Sequence, residues 1–208
     1  MPKMTVTPTL YSISGPPRSG RTSTFENTKL LCEKYYPQLP IVFLPDVFEG
    51  RPHPLERPMK EREYHAVSRL LRNWGKLNES CLAVRRELAA GNIVVTDGFG
   101  LDVYLDAVAC KDCPEQKAEA SLLHHYLVDF RVKEQGIPFP QYFTWRTWHG
   151  ALSDALRSYH SSVEMEMARY FSGTGQKEPI YLDGGDAVER SEEALQYILT
   201  AVEMEAAA

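Results

Sequence analysis

A chain of 208 residues, 43% hydrophobic and 25% charged, is long enough to bury about 70% of the surface its unfolded form exposes and too apolar to stay disordered. Its 23 Lys+Arg against 28 Asp+Glu give a net charge of −5, a field that repels a nucleic-acid backbone, so any phosphate site must be local. No apolar run approaches the roughly 20 residues of a membrane span, and the opening MPKMTVTPTLYSIS lacks the apolar core of a secretory signal. The expectation is a single cytoplasmic domain over 1–208 with no membrane partner. Cysteine usage agrees: Cys32 and Cys81 stand alone in helical patterns, and only Cys110 and Cys113 have C-x-x-C spacing. With His124 and His125 they suggest zinc, but a second Cys pair or a spaced His pair is missing, and a polar connector, KDCPEQKAE, is the better reading.

In chain order, short apolar runs alternate with longer amphipathic ones, which predicts an α/β domain whose largely parallel sheet carries helices on both faces. A strand over Leu10–Ser14 runs through a Gly/Pro loop into a helical stretch with Phe25, Leu30 and Leu31. IVFL at 41–44 is a second strand, ending at Pro45-Asp46. Prolines 52, 54 and 58 make the stretch from Glu49 to Met59 irregular, because each removes a backbone donor and biases its predecessor away from helix. Val67, Leu70, Leu71, Trp74, Leu77, Cys81, Val84 and Leu88 then recur at helical spacing, with Gly91 as the stop. NIVVT at 92–96 is a buried strand that delivers Asp97, Gly98 and Phe99 at its carboxyl end. A helix around 118–133, a strand in PQYFTWRT, a helix over 150–171, a strand at 179–183 and a closing helix over 191–204 complete the pattern, the last with Glu192 and Glu193 in its first turn. Ligands of such sheets bind beyond the carboxyl ends of the strands, here Gly15 to Thr22, Asp46, Asp97 and Asp183.

The loop after the first strand, Gly15-Pro16-Pro17-Arg18-Ser19-Gly20-Arg21-Thr22, fits G-x-x-x-x-G-K-[ST] except that Arg21 stands where Lys is usual. The pattern has a physical basis: glycines let backbone N–H groups wrap a phosphate at a helix N-terminus, a cation meets the β/γ-phosphates, and a hydroxyl meets Mg²⁺. Arg21 supplies charge as a planar fork rather than a compact ammonium, and Thr22 supplies the hydroxyl. The competing reading is a tight Gly/Pro turn with no ligand. Asp97, ending a buried strand, holds the position from which a carboxylate reaches Mg²⁺ in phosphate-loop enzymes; taken alone it could equally cap the next segment.

This order of elements resembles the thymidylate-kinase family, in particular the subclass with an Arg inside the phosphate loop, G-x-D-R-x-G-K-[ST], onto which Arg18 falls. The resemblance covers nearly the whole chain: Phe43-Leu44-Pro45-Asp46-Val47 looks like the F-P-E-R strand end, CLAVRRELAAGNIVVTDGF like the long helix entering strand three, GIPFPQYFTW like the G-L-P-x-P-D strand entry, and YLDGGDAVERSEEALQYI like the terminal strand, loop and helix. It implies a three-layer P-loop kinase fold with a central five-stranded parallel sheet, an acceptor-side insert at about 47–65 and a lid-like stretch at about 157–165. By the same resemblance Gly15 to Thr22 and Ser23 bind ATP phosphates, with Arg18 on the transferring γ-phosphoryl. Thr22 and Asp97 hold Mg²⁺, Arg157 stands at the lid, and the Asp183 to Asp186 loop flanks the adenine. Family members pair as homodimers through the long helix, so a homodimer is expected.

The acceptor side departs from that pattern. The sugar-reading loop Asp is Pro17 here, the Arg of P-E-R is Val47, and the Arg of D-R-[YF] is Gly98. Losing both arginines removes two charge-assisted contacts to an acceptor phosphate, about 1.5 to 3 kcal/mol each. Asp46, kept at the strand end, suits deprotonating a hydroxyl better than holding a phosphate dianion. The first reading is a kinase of a nucleotide acceptor. The second is a kinase of a hydroxyl acceptor, a deoxynucleoside or 5-hydroxymethyluracil in phage DNA, with Asp46 as base; the aromatics admit DNA, but the net charge disfavours it. The third is a catalytically dead nucleotide-binding module, motivated by Arg21 and Gly98.

Overall fold

The computed structural model of the chain describes residues 4–15, 19–45, 66–99, 101, 136–145, 154–174 and 177–204. Their elements are β1 (Met4–Val6), β2 (Leu10–Ile13), α1 (Arg21–Tyr35), β3 (Ile41–Leu44), α2 (Ala66–Ala89), β4 (Ile93–Asp97), β5 (Gln141–Thr144), α3 (Asp154–Thr174), β6 (Ile180–Tyr181), α4 (Ala187–Leu199) and β7 (Val202–Met204). The runs of β-branched and aromatic residues at 10–13, 41–44, 93–97 and 141–144 form the strands the sequence predicts, and β2 and β4 are buried along their whole length.

Five of these strands form one parallel sheet in the order β3-β4-β2-β5-β6. The first strand of that sheet, β2, therefore lies in its middle. Its register with β4 pairs Ile13 with Asp97, and its register with β5 pairs Ile13 with Phe143, so three carboxyl ends lie side by side at one edge of the sheet. This is the switch point, where the strand order reverses and connecting loops part.

Successive strand residues point to opposite faces, and β5 shows what that does here. Phe143 packs with Phe25 of α1 and with Ala194 and Ile198 of α4, whereas Tyr142 packs with Tyr159, Val163, Met167 and Phe171 of α3. Helices thus cover both faces, a three-layer α/β arrangement. α1 and α4 meet where Ser191 Oγ of α4 donates to the Thr24 carbonyl of α1 at 3.0 Å, a carbonyl that also accepts from Thr28 Oγ1 of α1 at 2.7 Å. Hydroxyls that close on backbone oxygens allow two helices to approach closely without leaving buried donors unmet.

The carboxyl-terminal region departs from expectation in two ways. α4 starts at Ala187 rather than 191, because Asp186 Oδ1 accepts hydrogen bonds from Val188 N at 2.8 Å and Glu189 N at 2.9 Å; Glu189, not Glu192 and Glu193, occupies the first turn. It also ends at Leu199 rather than 204, and Val202–Met204 forms a strand that pairs antiparallel with Met4–Val6, an element the sequence reading did not contain. The expected insert at 47–65, the helix at 118–133 and Cys110 and Cys113 lie outside the described residues. Among the described residues no helix is long and apolar enough to cross a membrane.

Candidate functional site

The loop leaving β2 ends in Gly20, whose φ of +89° is a left-handed conformation that favours glycine, and α1 begins at the next residue. The N-cap residue Gly20 has no side chain to cap α1 and no acidic residue stands in its first turn, so among the described residues its leading N–H groups and positive dipole end carry no capping carboxylate. Ser19 Oγ is buried within the same turn and has no hydrogen-bond partner among the described residues. An orphaned hydroxyl beside open helix N–H groups is the arrangement an anion completes.

On the β4 side of the loop, three of the predicted residues come together. Asp97, the last residue of β4, has its side chain only 3% exposed; Arg21 Nε lies 2.5 Å from its Oδ1 and Thr22 Oγ1 donates to its Oδ2 at 3.2 Å. The Arg21 contact is an ion pair by charge and distance, while the Nε–H is not directed at Oδ1 closely enough for a hydrogen bond. Asp97 therefore does not cap the following segment through these contacts; it is turned back toward the loop. The next residue, Gly98, has φ of +81°, and its N–H donates to the Ile13 carbonyl at 2.9 Å, which ties the end of β4 to the end of β2.

On the β5 side the loop meets residues that sequence reasoning missed. Trp145, just past β5, donates from Nε1 to the Ser19 carbonyl at 3.2 Å. The Arg190 guanidinium, from the first turn of α4, stacks over the Trp145 ring at 4.5 Å. Arg190 Nη2 lies 3.0 Å from where a Cβ on Gly20 would stand, so glycine there also leaves room for the cation. Burial pushes the Arg190 pKa below its ordinary value, and the charges of Asp186, Glu189 and Glu193 partly offset that. Trp145 was legible only as an aromatic at strand spacing, and nothing in the spacing of Arg190 linked it to a loop 170 residues earlier.

The remaining predicted residues fall elsewhere. Pro16, Pro17, Arg18, Asp46 and Val47 lie outside the described residues. Ser23 is exposed in the first turn of α1. Arg157 stands 3.9 Å from Asp154 one turn away on α3; the stretch expected to be lid-like continues as that helix, with Tyr159, His160 and Val163 buried. Asp186 spends its carboxylate on the α4 cap, and Asp183 is exposed, its backbone N–H donating to Glu193 Oε2 at 2.8 Å. Among the described residues no group of three or more His, Cys, Asp or Glu side chains forms a metal-binding cluster.

The comparisons with known proteins rest on structure alone. No family model and no curated protein matches the chain. Among solved structures, a thymidylate kinase from Ehrlichia chaffeensis superposes with a TM-score of 0.52 at 15% identity, over 91% of this chain and 97% of that one. A NadR protein in complex with NR superposes with a TM-score of 0.54 at 12% identity, over 97% of this chain and 53% of that one, so the chain spans about half of NadR's length. This chain has the fold of the P-loop kinases. At these identities the likeness is one of architecture alone.

Proposed function

We propose that the chain is an ATP-dependent phosphotransferase that binds its donor on the Gly15–Thr22 loop and passes the γ-phosphoryl to a nucleotide-type acceptor. The observation that carries this reading is the meeting of Arg21 and Thr22 on Asp97 at the switch point of a P-loop kinase fold. A triphosphate would take the open N–H groups of α1, Ser23 would stand beside them, and Arg18 and Arg21 would supply positive charge. Catalysis of this kind is positioning and charge neutralisation, with no covalent intermediate on the protein.

The donor set also fits a divalent metal. A shielded carboxylate and an adjacent hydroxyl offer two hard oxygens, and Mg²⁺ takes few protein ligands, completing its shell with water and phosphate oxygens. Thr22 and Asp97 would hold it, and it would supply neutralisation of the negative charge on the phosphates. The Asp183 to Asp186 turn would flank the adenine through its backbone, because the Asp186 carboxylate is committed to the cap. Arg157 would approach the donor from α3.

One observation favours the second reading, a hydroxyl acceptor with Asp46 as base. The position after Asp97, where the resemblance calls for an acceptor-gripping arginine, is a glycine in a left-handed conformation, which a larger side chain adopts only with strain. The departure is therefore built into the backbone and is not a bare change of side chain.

The test is an ADP-release assay run with dTMP, the other deoxynucleoside monophosphates, nucleosides and hydroxymethylated DNA. Turnover with a monophosphate supports the first reading, and turnover with nucleosides or modified DNA alone, lost in Asp46→Asn, supports the second. ATP binding with no turnover on any acceptor would make the chain a nucleotide-binding module and overturn both.

A further inference from the structure

Arg190 is a cation taken out of water with no counter-charge in contact among the described residues. The residue is 8% exposed, yet its hydrogen bonds are two long ones, Nε to Thr24 Oγ1 at 3.4 Å and Nη1 to the Gly184 carbonyl at 3.4 Å. Among the described residues no carboxylate forms an ion pair with it. The three acids close enough to act on its charge are each held by backbone N–H groups instead: Asp186 by Val188 and Glu189, Glu189 by Gly185 at 2.7 Å, and Glu193 by Asp183 at 2.8 Å. A buried, weakly satisfied charge is costly unless something meets it.

What faces Arg190 is the start of α1. Nη2 lies against Gly20, at the helix N-terminus that no side chain among the described residues caps, and Trp145 packs on the guanidinium from one side while donating its indole N–H to the Ser19 carbonyl. The strand order sets its direction. Asp97 ends β4 on one side of β2, and Trp145 and Gly184 follow β5 and β6 on the other, so Arg190 stands across the loop from the Arg21–Thr22–Asp97 cluster.

We propose that Arg190 is an anion-binding residue of the donor site, meeting the non-transferred phosphates of a nucleoside di- or triphosphate together with the N-terminus of α1. This rests on the phosphotransferase reading, which gives the Asp97 side of the loop to the metal and the transferring phosphoryl. The phosphate groups left for the β5 side are those nearer the nucleoside, and a planar fork stacked on an indole is pre-set to receive two of their oxygens. The site uses a cation that no spacing in the phosphate-loop pattern contains.

The experiment is calorimetric titration of the full chain with ADP and with pyrophosphate, for the wild type, Arg190→Gln and Arg190→Lys, with melting temperatures alongside. Arg190→Gln is expected to weaken both ligands about tenfold or more, the scale of one charge-assisted contact, while Arg190→Lys keeps the charge and loses about threefold. Unchanged affinity in Arg190→Gln overturns the proposal, and so does an equal loss in both variants matched by an equal fall in melting temperature, which is what packing against Trp145 alone would give. Should either variant fail to fold, protein carrying Trp74→Phe and Trp148→Phe leaves Trp145 as the single indole; its emission should shift on adding ADP or pyrophosphate, and an unchanged spectrum at saturation overturns the proposal. A wild type that binds neither ligand sinks the phosphotransferase reading itself, an outcome distinct from the failure of Arg190 alone.

Discussion

The two flanks of the loop after β2 are built from different chemistry. On the β4 flank a carboxylate sits under a cation and a hydroxyl, three polar side chains whose mutual arrangement must change when a metal or a phosphate arrives. Among the described residues the β5 flank has no carboxylate in contact with its cation; an indole, a guanidinium and a capped helix start lock one another in place. Under the proposed phosphotransferase reading, the contrast would separate two jobs: one flank would offer ligands that can be exchanged, the other a fixed positive potential that needs no reorganisation during reaction.

Removing the exchangeable ligand should have the largest effect. Asp97→Asn keeps the shape and the acceptor for Thr22 but loses the charge that attracts a divalent cation. Turnover should drop by about a thousandfold, the several kcal/mol associated with a metal's charge stabilisation, while Arg190-dependent binding of pyrophosphate survives. Steady-state rates together with pyrophosphate titration check both halves, and an Asp97→Asn protein with near wild-type turnover would remove the metal role from this flank.

The second prediction attacks the rigid flank. A Cβ on Gly184 would stand 2.6 Å from the backbone N of Arg190 and 2.8 Å from the carbonyl carbon of Glu189, contacts that a side-chain rotation cannot relieve. Gly184→Ala must therefore push the first turn of α4, and Arg190 with it, away from Gly20. The expected loss is about 1 to 3 kcal/mol of stability, measured by denaturant unfolding, with weaker ADP binding in parallel. Gly185→Ala, whose added Cβ meets only Glu189 Oε2 at 3.4 Å, is the control and should change stability by less than about 0.5 kcal/mol. Equal behaviour of the two variants would mean that the turn tolerates displacement and that the flank is not rigid.

The same division marks what could be read from the chain directly. The β4 flank was legible because its parts are local or carried by a known spacing: a glycine-bearing loop between a strand and a helix, and an acid ending a run of β-branched residues. The other flank depends on contacts between residues far apart in sequence. Trp145 reads as one more core aromatic, and it is indeed 3% exposed, but its N–H is turned to a carbonyl 126 residues away. The start of α4 did carry a local signal, Asp186 followed three residues later by Glu189 ahead of an apolar helical pattern, which is a capping-box spacing. The adjacent acids Glu192 and Glu193 carry a stronger charge signal one turn later, at a place that is not the helix start. The strand at Val202–Met204 had no local signal, since three residues in a run that reads as helix become strand only by pairing with Met4–Val6 at the other end of the chain.

The smallest effect concerns the departure from the usual loop lysine, and it sharpens the contrast between the flanks most finely. Arg21 places a guanidinium nitrogen 2.5 Å from the carboxylate that would receive the metal, so without nucleotide the side chain occupies charge space at Asp97 that a divalent cation would need. A metal arriving there must displace the Arg21 contact, a competition whose size is set by an ion pair with one partner 19% exposed and the other 3%. Both side chains are largely withdrawn from water, so the cost of desolvating two charges offsets most of their attraction and the net worth of the pair is small. Arg21→Lys replaces the fork with a compact, strongly hydrated ammonium that prefers phosphate oxygens and has no side-on nitrogen at the Nε position. The free Mg²⁺ needed for half-maximal ADP binding should accordingly fall about two- to fivefold, read by calorimetry over a series of Mg²⁺ concentrations, while metal-free pyrophosphate binding, assigned to the α1 N-terminus and Arg190, changes less. A higher Mg²⁺ requirement in Arg21→Lys would mean that the arginine assists the metal and does not compete with it, and the β4 flank would then be as pre-set as the β5 flank.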